Sequence, residues 1–245
     1  MKSSVSRTLS ATRRWSDAAA KAVFQTVAHF ESPPEDLMGL KRIPGNAGNP
    51  QSTGFSSERL NRSVACESCE ERRVFAWLER SAAVRWYQEQ PVAVPYIFDG
   101  RLGYYYPDAA VLDHTGRVVI LEVKPRFMMF RQATLAKASA ALAHFGPRGI
   151  GYLLVDSRGQ TLSDLACVSY DMNVVETVES LFSHGPVPLR IVRNTMALWC
   201  GHFNLGAFAS MVVNRDWGVT SGPGARVWKL PHDLSFRVLT ARSSQ

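Results

Sequence analysis

No stretch of this chain stays apolar for the roughly 20 residues a bilayer requires, and the first basic residues lead into no apolar run of the kind a secretory signal needs. Cysteine is scarce: of four, only Cys66 and Cys69 stand close together, as a C-x-x-C, while Cys167 and Cys200 are far apart. A structural zinc site calls for a second ligand pair, and neither another C-x-x-C nor an H-x-x-x-H supplies one. Reduced thiols in a reducing cytosol are therefore expected. None of the six histidines pairs with another at ligand spacing, so no catalysis is assigned to them. There is no internal repeat, which excludes solenoids and propellers. No helix dense in Arg, Asn and Gln is available to read base edges.

What is present is enough apolar material for one large domain or two small ones: 245 residues, 46% hydrophobic. The net charge of +7 is unevenly spread. Residues 1–62 carry nine Lys/Arg against five Asp/Glu, residues 63–185 twelve against fourteen, and residues 186–245 seven against two. A slightly acidic centre between basic flanks suits an enzyme that holds divalent cations centrally and grips a polyanion at its edges.

Along the chain, residues 15–31 repeat apolar positions at helical spacing, and residues 32–57, rich in Pro, Gly, Asn and Ser, read as an extended linker. A helix is expected from about Ser68 to Arg80, with Val74, Phe75 and Leu78 on one face and Glu71 in line with them. Three strands follow, at 92–98, 103–112 and 117–123, the first ending at the hairpin signal Asp99-Gly100 and the last apolar enough to be central. A helix near 128–145 stopping at Gly146-Pro147 and a buried strand at 151–156 complete an α/β core. Further on, helices near 172–183 and 194–213 precede a segment, GVTSGPGARVWKL, that reads as strand, glycine-rich turn and strand, an order compatible with a winged-helix-like unit.

If Asp113 pairs with Arg117 across the turn that separates the second and third strands, Asp108 falls directly opposite Glu122, with side chains roughly 5 Å apart at Cβ. Glu122 and Lys124, two residues apart, share one face of their strand. Two carboxylates this close repel, and a divalent cation removes the conflict. Such a cation lowers the pKa of a bound water and stabilises charge developing on phosphorus, and Lys124 beside it can orient the attacking water. Glu71 admits two readings. Ser68 followed three residues later by Glu71 is a capping box. A helical Glu facing the core can also position a metal or a water, with Glu67 and Glu70 as successive alternatives. Gln90, before Pro91, is expected to order the loop beside the site; Arg126 and Arg131 are candidate phosphate contacts. Tyr104, Tyr105 and Tyr106 are read as sheet-packing aromatics rather than as bases' stacking partners.

Pro107-Asp108, Glu122-Val123-Lys124 and a preceding helical Glu resemble the PD-(D/E)XK nuclease superfamily. A longer pattern is similar to TnsA-type endonucleases of heteromeric transposons. It runs through Ser68, Glu71, Arg72, Val84, Tyr87 and Gln88-Glu89-Gln90-Pro91, then Tyr106-Pro107-Asp108 and Glu122-Val123-Lys124-Pro125, over roughly residues 52–156. The resemblance implies a catalytic set of Glu71, Asp108, Glu122 and Lys124. It implies magnesium, with manganese as a substitute, held by Asp108, Glu122, the backbone carbonyl of Val123 and Glu71. It also implies cleavage of the 5′ strands at transposon ends in double-stranded DNA, together with a transposase subunit and an AAA+ ATPase regulator that meets the C-terminal region.

The expected architecture is thus a basic N-terminal helix and linker arm (1–62), a restriction-endonuclease-like α/β nuclease core of helix, three-strand meander, helix and strand (63–165), and a smaller, mostly helical partner- and DNA-binding region (166–245). A cytoplasmic, nucleoid-associated location with no membrane contact is expected. The alternatives are a restriction, repair or phage nuclease on the same core, and a DNA- or protein-binding subunit whose nuclease site has decayed.

Overall fold

Ser68 begins the first element of the core, and its hydroxyl accepts the Glu71 N–H (3.1 Å) to start helix α2 (Cys69–Arg80). Ahead of it lie helix α1 (Lys2–Ala19) and the antiparallel hairpin β1 (Thr53–Ser57) and β2 (Arg62–Cys66). This computed structural model describes residues 2–39 and 53–230. Two compact units result: Met1–Pro125 with Lys137–Thr161, and Arg126–Ala136 with Leu162–Gln245.

In the first unit, β3 (Val84–Glu89) is followed by a separate hairpin, β4 (Val94–Phe98) and β5 (Arg101–Tyr105), then by β6 (Ala109–Asp113) and β7 (Val118–Val123). In the chain, α3 (Arg126–Met129), which belongs to the second unit, and α4 (Gln132–Phe145) precede β8 (Gly151–Val155). The central sheet runs β3-β6-β7-β8, antiparallel except for the β7–β8 pair. Every residue of β6, β7 and β8 is buried, which agrees with their near-continuous apolar sequence. One sheet face, carrying Val119, Leu121, Val123, Leu153 and Val155, packs in a single cluster with Trp15 and Ala18 of α1 and Val74, Phe75, Trp77 and Leu78 of α2.

The expected three-strand meander is corrected. Residues 103–112 do not make one strand: Pro107 has no N–H to give a ladder, and the chain changes partner there, β5 pairing with β4 and β6 with β3 and β7. The Asp99-Gly100 turn is present, both residues at positive φ (50° and 70°), the conformation a two-residue hairpin loop requires. The N-terminal segment is not an arm either. Trp15 is 1% exposed. The helix stops at Ala19 because the following residues pair as backbone with the core: Val23 exchanges hydrogen bonds with Tyr152 (2.8 Å each way), Ala28 N–H donates to Gly149 and Phe30 N–H to Gly116. Of the stretch read as a linker, residues 40–52 lie outside the described residues; residues 53–57 form β1.

The second unit contains α5 (Leu162–Ala166), α6 (Met172–Ser180), β9 (Val187–Pro188), α7 (Leu189–Cys200), α8 (Leu205–Asn214), β10 (Trp217–Val219) and β11 (Arg226–Lys229). The helix expected at 194–213 is two helices bent by 115°, because Gly201 adopts a left-handed conformation (φ 75°) that ends α7. The expected strand, turn and strand form the β10–β11 hairpin, and β9 adds to β11. Residues 207–213 of α8 are all buried, so α8 is the unit's core rather than a surface helix. Among the described residues no single helix is long and apolar enough to cross a membrane.

Candidate active site

The β6–β7 register pairs Ala109 with Leu121, Ala110 with Ile120 and Leu112 with Val118; carried one residue further, it sets Asp108 opposite Glu122 as expected. The turn fixes this register. Asp113 N–H donates to Arg117 O (3.1 Å), and the Asp113 carboxylate accepts from the backbone N–H groups of Thr115 and Arg117 and from the Arg117 guanidinium. Asp108 and Glu122 point away from the face covered by α1 and α2, since Leu121 and Val123 occupy that side.

Lys124 closes the arrangement. Its Nζ lies 2.5 Å from Glu122 Oε1 and 3.7 Å from Asp108 Oδ2, and it donates to the Val123 carbonyl at 3.1 Å. One ammonium therefore gathers three oxygens from consecutive positions of two strands. Asp108 Oδ2 also accepts the Val123 N–H (2.7 Å), and Glu122 Oε2 accepts the Tyr105 hydroxyl (2.6 Å). Tyr105 is itself buried, with the Tyr152 hydroxyl 3.5 Å away, and Lys137 of α4 stands 5.7 Å from the ring centres of Tyr96 and Tyr105.

The charges do not balance. Burial and the neighbouring Glu122 hold the Asp108 carboxyl well above the usual carboxylate range, against the lowering effect of Lys124. Burial alone would depress the Lys124 ammonium, but Glu122 and Asp108 together outweigh it and raise it. Lys124 is thus held protonated beside the two carboxylates, placed to orient and stabilise. One buried carboxylate nearby has its own partner. Glu89, paired with Ala109 across the sheet, is held by both Arg62 nitrogens (2.5 and 2.6 Å), with Gln88 accepting from the same guanidinium at 3.0 Å. Asp108 and Glu122 share one cation between them.

Three oxygens converging on one positive charge, with a carboxylate left over, are a donor set that fits a divalent cation. Among the described residues no three His, Cys, Asp or Glu side chains come together to hold a metal ion, so such a cation would draw on Asp108, Glu122 and the Val123 carbonyl. Gln90 adjoins the site through its backbone. It is buried at positive φ (40°), its N–H donates to Asp108 O (3.1 Å), and its Oε1 is buried with no hydrogen-bond partner.

Glu71 is placed in the capping box. Its Oε1 accepts the Ser68 hydroxyl (2.8 Å) and its Oε2 the Glu67 N–H (2.7 Å), so both oxygens serve the helix start. Burial raises its carboxyl, with those two hydrogen bonds acting against the rise. It acts on the site through space, raising Asp108 and Lys124 alike. Glu70 faces outward and pairs with Arg73 (2.9 Å). The phosphate role expected of Arg131 is corrected. Its side chain is buried in the second unit, donating to the carbonyls of Phe127 (3.1 Å) and Thr220, and burial lowers its pKa. Arg126, half-buried, opens α3. Cys66 lies in the core and burial pushes its thiol up to about 12, which leaves it unreactive.

The sequence reads Tyr105 as a sheet-packing aromatic, not as a partner of Glu122, and does not single out the Arg62–Glu89 pair. Tyr105 carries a recoverable signal in hindsight, a hydroxyl two residues before the Pro-Asp break; Arg62 carries none, since its partner is 27 residues away. No protein-family model matches the chain, and no curated protein is found to match it.

Proposed function

We propose that this chain is a metal-dependent DNA endonuclease of the PD-(D/E)XK type, with a restriction-endonuclease-like core formed by the β3-β6-β7-β8 sheet and its helices. The observation that carries the reading is the convergence of Glu122 Oε1, Asp108 Oδ2 and the Val123 carbonyl on the Lys124 ammonium, at the ends of two central strands. A magnesium ion held by those oxygens would supply Lewis acidity toward a phosphoryl oxygen and acidify a bound water. Asp108 and Glu122 hold the charge that such an ion needs. Tyr105 fixes one Glu122 oxygen and leaves the other facing Lys124. Lys124 would position the water and steady negative charge as the bond from phosphorus to the leaving oxygen breaks. Glu71 holds the start of α2 and adds negative potential.

In the second unit, α6, β9, α7, α8, β10 and β11 follow one another in the order of a winged helix, and the sheet order β10-β11-β9 agrees with it. Together with the resemblance to TnsA-type enzymes, this supports a place in transposition. In that setting the chain cuts the 5′ strands at transposon ends, its site choice supplied by a transposase and an ATPase regulator that dock on the basic C-terminal region. Nothing in α8, which is apolar and buried, reads base edges, so isolated chain is expected to be nearly inactive on plain duplex DNA. The test compares cleavage of end-containing DNA by the chain alone and with its transposase, in magnesium and in EDTA. Partner-dependent nicking of the 5′ strands, abolished by EDTA, is the expected result. Efficient site-specific cutting by the chain alone would favour a free-standing restriction-type enzyme, and full activity in EDTA would remove the metal mechanism.

A further inference from the structure

The second unit carries a cavity of about 400 Å³ between the start of α7 and the β10–β11 hairpin, and it is lined by Arg190, Arg193 and Arg226 together with the loop Gly222-Pro223-Gly224. No carboxylate lines it. Of the five Lys and Arg in residues 186–230, Arg215 and Lys229 are spent on Glu179, at 3.4 and 3.0 Å. The remaining three make no ion pair among the described residues, and all three face this one concavity. Three guanidiniums at one hollow repel each other and focus a positive field into it.

Two of the three are also held in place. Arg193 lies over the Phe203 ring, 4.9 Å from its centre. Arg226 donates to the Pro186 carbonyl (2.7 Å), and its N–H donates to the Thr220 hydroxyl (2.9 Å). The hairpin is tied to the start of α7 by Leu189 N–H donating to Ala225 O (2.8 Å). Gly222 (φ 91°) and Gly224 have open space where a Cβ would stand, so the loop backbone can be approached closely. The planar guanidinium forks of Arg193 and Arg226, fixed before the ligand arrives, match the oxygens of a phosphate.

We propose that this pocket grips the phosphate backbone of duplex DNA, without regard to sequence, and that α7 and the hairpin, not α8, form the DNA-facing side of the second unit. The proposal rests on reading the chain as an enzyme of DNA. It departs from the usual use of a winged helix, in which the helix at the position of α8 enters the major groove; here that helix is interior.

The test is fluorescence anisotropy of the full chain on labelled duplexes of two unrelated sequences, without divalent ions, across a salt series. The triple variant R190Q/R193Q/R226Q keeps amide donors and removes three charges. If each guanidinium meets one phosphate, the slope of log K against log salt falls by about 2.7 and affinity near 0.15 M salt falls about 100-fold, equally for both sequences. The Lys triple variant keeps the charges and should keep most of the slope. Unchanged affinity and slope in the Gln variant, its circular dichroism and melting matching wild type, overturn the proposal. Should that variant melt early, the single R190Q decides, with a slope change near 0.9 expected and none overturning it. A polyglutamate peptide that binds through these arginines while duplex DNA does not would also overturn it, in favour of an acidic protein partner. Pocket-dependent DNA binding, with no cleavage of end-containing DNA even with the transposase and magnesium, would sink the nuclease reading and leave the pocket; such partner- and metal-dependent cleavage with pocket-independent binding would do the reverse.

Discussion

Lys124→Met removes the ammonium that holds Asp108, Glu122 and the Val123 carbonyl together while keeping most of the side-chain stem. The two carboxylates left behind are 9% and 3% exposed, and Lys124 itself 27%. Removing one partner of a buried ion pair costs about 3–5 kcal/mol; the partial exposure of Lys124 points to the lower end, about 3 kcal/mol. For a chain of this length that lowers the melting temperature by about 6–12 °C. The cost is full only while both carboxylates are charged, so melting is followed at pH 8. Adding magnesium or manganese should then recover much of the loss, since a ligand at 100 times its Kd contributes about 2.7 kcal/mol. The double variant D108N/K124M, with one carboxylate neutralised, should melt higher than K124M without metal and respond less to it. Two results would refute the reasoning: a K124M protein as stable as wild type at pH 8, or a metal response equal in the single and double variants.

Other expectations follow from the same geometry. Asp108→Asn should stabilise the fold by about 0.5–2 kcal/mol at neutral pH, as relief of a functional strain commonly does, while abolishing cleavage. The sign follows from the raised Asp108 carboxyl: its contribution to wild-type stability is present below the unfolded value near 3.8 and is lost as pH rises toward the folded value. Melting curves of the two proteins should therefore converge near pH 3.5 and separate toward neutrality; a constant gap contradicts this. Tyr105→Phe leaves Glu122 Oε2 without its donor, and should lower stability by about 1.5–3 kcal/mol, read by urea denaturation; an unchanged midpoint would remove Tyr105 from the site. Ser68→Ala should cost about 1 kcal/mol through loss of the cap, and because it frees Glu71 Oε1 rather than deleting a ligand, cleavage should fall less than tenfold. A loss in Glu71→Ala far larger than that in Ser68→Ala would return Glu71 to the catalytic set.

The part of the site legible in the sequence was the part set by local rules. The turn Asp113-His114-Thr115-Gly116 fixes the register of β6 and β7, and period-2 geometry then brings Asp108, Glu122 and Lys124 together. The capping box was visible in the spacing of Ser68 and Glu71, and the structure gives Glu71 oxygens to it. What escaped depended on tertiary neighbours. Strand β3 exposes Arg85 and is interrupted by a register shift between Val84 and Trp86, so its period is lost. Arg131 looks like any surface base until α3 and the Thr220 carbonyl enclose it. The helix at the N-terminus was expected too far along the chain because the pull of Tyr152, Gly149 and Gly116 on residues 23–30 has no signature in those residues.

The central claim, that Asp108, Glu122 and Lys124 support metal-dependent phosphodiester hydrolysis, is tested most directly by single-turnover cleavage of duplex DNA carrying transposon ends, assembled with the transposase. Wild-type chain and Asp108→Ala are compared at saturating magnesium, with DNA binding measured in parallel. If the carboxylate holds an ion worth about 4 kcal/mol to the transition state, the variant should be slower by about 1000-fold while binding DNA as wild type does. Cleavage by Asp108→Ala within a few-fold of wild type would contradict the account.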